Sequence, residues 1–182
     1  MPRRYYRTKR TAPKPRWLRT AVSNYSNFPS IATNTFTSKV FVIAENYRRI
    51  DNLGAASASN VANITVKNVR CEFNLPDCNT GESYLCSIVF VPNGVDPTNN
   101  GTVATSLGST CYQFTNPDYT MAEKSVTVND NDDSKVVLST RLARKLGPND
   151  KICLLITHIN YGTAASDAGY VTFHSSYFVK SN

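Results

Sequence analysis

Residues 151–160, KICLLITHIN, together with residues 83–91, SYLCSIVFV, decide the fold of this chain. Both stretches are short and almost continuously apolar, and both are enriched in residues that favour strands. Turn signals bound them, with Gly147-Pro148 before the first and Pro92-Asn93-Gly94 after the second. A short apolar run between turn signals is typical of a strand buried on both faces. We therefore expect these two stretches to be central strands of a β-structure.

Outward from these two stretches, alternating apolar residues predict further strands. In residues 63–75, NITVKNVRCEFNL, the apolar phase shifts by one residue at Lys67-Asn68, which indicates a β-bulge. No segment shows a helical period. About eight strands separated by turn signals predict an all-β fold, a β-sandwich or jelly roll. The remaining predicted strands are residues 36–44, 63–75, 110–114, 121–128, 134–142 and 170–179.

Charge is distributed unevenly along the chain. The first twenty residues, MPRRYYRTKRTAPKPRWLRT, contain eight basic and no acidic residues, whereas residues 21–182 contain 12 basic and 13 acidic residues. Three prolines and the repulsion between like charges predict that this N-terminal arm is disordered. The predicted organisation is a basic arm at residues 1–20, a polar connector at residues 21–35 and a jelly-roll domain at residues 36–182.

The arm carries the chemistry of nucleic-acid binding. Arginine and lysine bind phosphates, and aromatic rings stack on unpaired bases, which favours single strands over duplex. Basic clusters of this kind also act as nuclear localisation signals, so host nuclear import machinery is a predicted partner. The candidate nucleic-acid-binding residues are Arg3, Arg4, Tyr5, Tyr6, Arg7, Lys9, Arg10, Lys14, Arg16, Trp17 and Arg19.

A second, smaller basic cluster follows the first predicted strand. Tyr47, Arg48 and Arg49 lie in a long polar connection. They are candidates for a further contact with nucleic acid, and the alternative is an ordinary solvated loop.

Catalytic and metal-binding patterns do not emerge from the sequence. The two histidines, His158 and His174, lie in predicted strands, and Cys153 and His158 are five residues apart, which places them on opposite faces of one strand. The acidic turn at residues 130–133 lacks the glycine and the distal glutamate of a calcium loop. The five cysteines show no metal spacing and are expected to be reduced thiols. We expect no enzymatic activity, cofactor, metal or membrane partner.

A near-neutral β-sandwich with a basic arm suggests a division of labour between self-assembly and neutralisation of a nucleic acid. Three stretches support this interpretation because they resemble capsid proteins of small circular single-stranded DNA viruses, the circovirus-like and nanovirus-like group. The stretches are PRRYYRTKR at residues 2–10, TVKNVRCEFNLPDC at residues 65–78 and LSTRLARKLGPNDKICLLI at residues 138–156.

The resemblance implies an eight-stranded jelly roll that assembles into a T=1 icosahedral shell of identical subunits around circular single-stranded DNA. It also implies nuclear entry directed by the arm, and thus location in the virion and in the host nucleus; no motif identifies a host receptor. Two alternatives remain open at this point. One is the coat protein of a satellite-type RNA virus, and the other is a monomeric lectin-like β-sandwich that binds a ligand.

Overall fold

The computed structural model of this chain contains two antiparallel β-sheets packed face to face. It describes residues 16–28, 30–33, 35–46, 63–75, 82–95, 117–127, 135–160 and 169–181. The strands are β1 (Leu18–Phe28), β2 (Thr35–Glu45), β3 (Ile64–Asn74), β4 (Ser83–Val91), β5 (Thr120–Thr127), β6 (Lys135–Thr140), β7 (Arg144–Leu146), β8 (Lys151–Asn160) and β9 (Gly169–Ser181). A single 3₁₀ turn at Pro117–Tyr119 precedes β5.

The strand order is that of a jelly roll. Sheet I has the order β1-β9-β3-β6, with the short β7 also paired to β3, and sheet II has the order β2-β8-β4-β5. Most successive strands cross between the two sheets, so that neighbours within a sheet are mostly distant in sequence. The predicted jelly-roll sandwich is therefore confirmed, and β1 and β7 are strands that the sequence did not predict.

The core lies between the sheets and is built from alternate residues of each strand. Ile152, Leu154 and Ile156 of β8 face it and are completely buried. The residues between them, Cys153 and Leu155, belong to a second buried cluster on the opposite face of sheet II. Burial on both faces explains why β8 is apolar almost throughout, as the sequence predicts.

The predicted bulge in β3 is confirmed. The register between β3 and β9 shifts between Lys67 and Arg70, and Asn68 has a positive φ of 51°. Val66 before the bulge and Val69 after it both face the core with no exposed surface. The bulge therefore turns both halves of β3 inward, although the two apolar sets have opposite parity in sequence.

The predicted connector at residues 21–35 is corrected by the structure. Leu18–Phe28 forms β1, which pairs with β9 over eleven consecutive residues from Leu18↔Val179 to Phe28↔Gly169. The sequence SNYSN shows no apolar alternation because β1 is an edge strand, and only Phe28 among its side chains is buried. Backbone pairing with β9 holds this polar segment in place, so the folded domain begins at Leu18 and takes in the end of the predicted arm.

Smaller differences concern strand ends and loops. The segment between the predicted strands at residues 134–142 and 151–160 contains β7, which pairs with the start of β3. The predicted strand at residues 110–114 and the acidic turn at residues 130–133 lie outside the described residues. Among the helical segments that the structure describes, none is long and apolar enough to cross a membrane.

Candidate nucleic-acid interface

Three of the eleven predicted arm residues belong to the described part of the chain. Arg16 and Arg19 are exposed, and Trp17 is half-buried immediately before β1. Tyr47, Arg48 and Arg49, and the arm residues that precede Arg16, lie outside the described residues. The site is therefore built outward from Trp17, the point at which the arm meets the folded domain.

Two lysine side chains approach the indole ring of Trp17. The ammonium nitrogen of Lys67 lies 4.0 Å from the ring centroid, and that of Lys180 lies 5.3 Å from it. Lys67 comes from β3 at the bulge and Lys180 from the end of β9. Ammonium groups at these distances from an indole face are attracted by its electron density, so they hold the ring on the sheet.

The sheet register arranges these residues in two adjacent rows. Cross-strand partners point to the same face of a sheet, and Arg19 is opposite Phe178, which is opposite Lys67. In the next row, Lys180 is opposite Thr65, which is opposite Lys145 of β7. Trp17 lies at the end of this second row, one residue before β1.

These rows are the most basic part of a face that is basic as a whole. The outer face of sheet I, which points away from the core, has six basic side chains and one acidic side chain among its described strand residues. The acidic group, Glu72, forms ion pairs with Arg70 and Lys135. The ammonium of Lys135, followed by the guanidinium of Arg70, lowers the pKa of Glu72. The six basic residues are Arg19, Lys67, Arg70, Lys135, Lys145 and Lys180.

The outer face of sheet II has the opposite balance. Its charged residues in the described strands are Glu45, Glu123 and Lys151. The ammonium of Lys151 lies 3.3 Å from a carboxylate oxygen of Glu45, and the hydroxyl of Ser87 donates a hydrogen bond to Glu123 at 3.4 Å. Among the described strand residues, the outer face of sheet I is thus the basic one, and Trp17 at the end of the arm lies on it.

The sequence contains a partial signal for this surface. Because the bulge shifts the alternation of β3, Lys67 and Arg70 are both predicted to face away from the core. Lys145 and Lys180 could not be added to the site from sequence alone. Their proximity to Lys67 depends on β7 and β9 both pairing with β3, which is a property of the sheet order.

The histidines do not form a catalytic site with the described cysteines. His158 and Glu82 are 2% and 1% exposed, and the Nε2–H of His158 donates a hydrogen bond to the Glu82 carboxylate at 2.8 Å. The ring of His158 also stacks on Tyr84 at a centroid distance of 4.3 Å. Burial lowers the pKa of His158, and the carboxylate of Glu82 opposes that shift. This pair is buried inside the sandwich.

The three described cysteines are expected to have unreactive thiols. Cys71, Cys86 and Cys153 are free and buried, and burial raises the pKa of each thiol to about 12. A thiol is a weak nucleophile until it ionises, so none of the three is activated. The described residues also contain no group of three or more His, Cys, Asp or Glu side chains that could hold a metal ion.

Comparison with known proteins does not identify a family for this chain. No family model matches the chain, and no curated protein matches it. Among solved structures, a chain in the structure of infectious bursal disease virus, Gx strain, matches 99% of this chain with 11% sequence identity and a TM-score of 0.39. The match spans 36% of that viral chain. At this TM-score the likeness carries no weight for function, which has to be argued from the residues.

Proposed function

We propose that this chain is the coat subunit of a small single-stranded DNA virus. In this proposal the jelly roll assembles with copies of itself into a T=1 icosahedral shell, and the arm with the adjoining basic end of sheet I binds circular single-stranded DNA. The observation that carries the proposal is the arrangement of Lys67 and Lys180 around Trp17, because it places the described end of the basic arm against basic side chains of the folded domain.

The jelly-roll fold is compatible with this role but does not by itself identify it. Jelly rolls occur in viral capsids, in lectin domains and in cupins, so function has to be decided by the site. The basic face favours a polyanion over a neutral sugar, because a lectin site needs polar groups for hydroxyls rather than an excess of cations. That surface therefore ranks the lectin-like alternative below a coat subunit.

Assembly would place the two faces of the sandwich in different surroundings. A shell has an inner surface that meets the genome and an outer surface that meets solvent. The basic outer face of sheet I suits the first and the less basic face of sheet II suits the second. In this arrangement the arm enters the interior, where its eight positive charges offset phosphates.

The arm would have a second role before assembly. Its clustered arginines and lysines match the composition of nuclear localisation signals, so we include import of the free subunit into the host nucleus in the proposal. A fluorescent protein fused to residues 1–20 should accumulate in nuclei. The same fusion with the eight basic residues replaced by glutamine is the matched control and should remain evenly distributed.

The decisive experiment is electron microscopy of the purified full-length protein together with light scattering. We expect uniform icosahedral particles, and a monodisperse species of about 20.1 kDa under all assembly conditions would refute the proposal. Reassembly in an equimolar mixture of circular single-stranded DNA and single-stranded RNA of equal length, followed by nuclease digestion of the cargo, tests the nucleic acid. Preferential packaging of RNA would favour the satellite-type RNA virus coat instead.

A further inference from the structure

We propose that the outer face of sheet I binds unpaired bases directly, with Tyr25 and Tyr170 as stacking platforms and the basic rows as phosphate contacts. The proposed ligand is single-stranded nucleic acid of any sequence. This inference rests on the proposed function and extends it, since it assigns binding to the folded domain itself in addition to the arm.

The two tyrosines stand out by their exposure. Tyr25 on β1 is 72% exposed and Tyr170 on β9 is 67% exposed. Tyr25 is opposite Thr172, and Asn27 is opposite Tyr170, so the two rings occupy diagonal positions on one face of neighbouring strands. Diagonal neighbours are about 7–8 Å apart, within reach of aromatic side chains. The pair thus presents two large, uncovered ring surfaces side by side.

The tyrosines and the basic rows lie on the same face. Arg19, Ser23 and Tyr25 share one parity of β1, and the hydroxyl of Ser23 lies 2.8 Å from the exposed ring of His174 on β9. Six residues of strand separate Arg19 from Tyr25, which corresponds to roughly 20 Å. A nucleic-acid strand lying along β1 and β9 would therefore meet Trp17 and the basic rows at one end and the two tyrosines at the other.

A shallow depression lies beside this path, where β9, β3 and β6 lie side by side. Its volume is about 180 Å³, and Asn74, Thr172 and His174 line it together with Glu72 and Lys135. Amide, hydroxyl and imidazole groups donate and accept hydrogen bonds to base edges or phosphate oxygens. The face consequently offers cations, hydrogen-bonding groups and aromatic rings on one surface, which is the combination that single-strand-binding proteins use.

Charge argues for nucleic acid over a second copy of this chain as the occupant. Among the described strand residues of this face, six basic side chains and one acidic side chain point outward, so two copies meeting through it would oppose like charges. Exposed rings argue for single strands over duplex, because the bases of a duplex already stack on each other. Only an unpaired base has a free surface for Tyr25 or Tyr170.

Photo-crosslinking of the full-length protein tests the inference. The probe is a thymidine 20-mer in which 5-iododeoxyuridine replaces several bases, and the crosslinked residues are identified by mass spectrometry. We expect adducts at Tyr25 and Tyr170 in addition to the arm. Adducts confined to residues 1–17, with none on Tyr25 or Tyr170, would overturn the inference.

Affinity measurements supply an independent readout. Each of Tyr25→Ala and Tyr170→Ala should weaken binding of the unmodified 20-mer about five-fold or more, with an unchanged dependence on salt, because rings release no counterions. The matched controls Tyr25→Phe and Tyr170→Phe keep the rings and should bind like the parent. Equal affinities for the alanine and phenylalanine variants would contradict the inference.

The same samples separate failure of this inference from failure of the proposed function. Particles that form and package DNA without tyrosine adducts would leave the coat function standing and refute the platform. Tyrosine adducts in a protein that never assembles would support the platform and refute the coat function. Burial of both tyrosines against a neighbouring subunit in assembled particles would also refute the platform.

Discussion

The ammonium nitrogen of Lys67 lies 4.0 Å from the centroid of the Trp17 ring. Fifty residues of sequence separate the two, and Lys67 reaches the ring because a β-bulge turns it toward the outer face of sheet I. This contact joins the basic arm to the folded domain and provides the most direct test of the interface.

Lys67 and Lys180 should each contribute one phosphate contact. Log affinity falls linearly with log salt, and for single strands the removal of one phosphate contact makes this slope shallower by about 0.7. Lys67→Gln and Lys180→Gln should each show this change with a single-stranded oligonucleotide, measured by quenching of Trp17, the only tryptophan. Lys151→Gln is the control, because Lys151 lies on sheet II beside Glu45 and should leave the slope unchanged. An equal change in all three variants would refute a localised interface.

Truncation of the arm should separate binding from folding at a sharp boundary. Deletion of residues 2–15 ends before β1 and should leave the melting temperature nearly unchanged while nucleic-acid affinity falls. Deletion of residues 2–28 removes β1 and exposes the edge of β9, so we expect lower solubility and a lower melting temperature. Thermal denaturation with parallel oligonucleotide titrations measures both effects. Full nucleic-acid content in particles of the shorter deletion would show that the arm does not bind the genome.

The bulge in β3 should depend on the residue at position 68. Asn68 has a positive φ, which asparagine and glycine tolerate and β-branched residues do not. Asn68→Val should therefore lower the free energy of unfolding by about 1–2 kcal/mol, whereas Asn68→Gly should cost much less. Asn74→Val, an exposed position in the same strand, is the control and should have little effect. Urea denaturation gives all three values, and similar stabilities for Val and Gly at position 68 would contradict the bulge geometry.

The free energy of unfolding should decrease as the pH falls, because of His158. Burial holds the pKa of His158 in the folded state below the ordinary value near 6.5, so the unfolded state takes up a proton first as the pH falls. The free energy of unfolding should then decrease below about pH 6.5, by at most about 1.4 kcal/mol for each pH unit from this one group. Denaturant titrations between pH 5 and 8 would show this decrease as a slope in a plot of the free energy of unfolding against pH.

The second histidine provides the control for this pH effect. His158→Gln should remove the slope, even where it lowers stability at every pH. His174→Gln changes an exposed histidine and should retain the slope. If the pH dependence of the free energy of unfolding survives His158→Gln and disappears in His174→Gln, it comes from His174 and the prediction is refuted.

The buried cysteines should be inert in the folded protein. With the pKa of each thiol raised to about 12, Cys71, Cys86 and Cys153 carry almost no thiolate at neutral pH. A variant with Cys78→Ser and Cys111→Ser should not react with a thiol reagent until guanidinium is added, and should then react at all three remaining positions. Rapid reaction without denaturant would show that the core opens.

Part of the fold could be predicted with confidence from local pattern. β4 and β8 are identified by continuous apolar runs, and the bulge in β3 by a change of phase, because these signals arise from which residues face the core. β1 was missed for the opposite reason. Only Phe28 of its eleven side chains is buried, so backbone hydrogen bonds to β9 hold it without an apolar pattern.

The candidate site shows the same division. Sequence identified Arg16, Trp17 and Arg19 as part of a basic aromatic arm, since charge and residue type can be counted along the chain. It attributed the basic character of the protein to that arm, whereas the structure shows that one face of the sandwich is basic as well. The near-neutral total of residues 21–182 conceals this, because acidic and basic residues cancel in a sum, whereas the described strands place six basic residues and one acidic residue on the outer face of sheet I.

The sequence by itself determined an all-β chain, the position of most strands and the basic arm, because each follows from residues adjacent or alternating along the chain. Only the tertiary structure decided that Lys67 and Lys180 lie against Trp17, that Lys145 shares a row with Lys180, and that Tyr25 and Tyr170 are diagonal neighbours. The strand order β1-β9-β3, with β7 also paired to β3, brings together residues that are far apart in sequence, in the case of Trp17 and Lys180 by more than 150 positions. Such neighbours are created by strand pairing, which depends on the whole chain, and no local pattern records them.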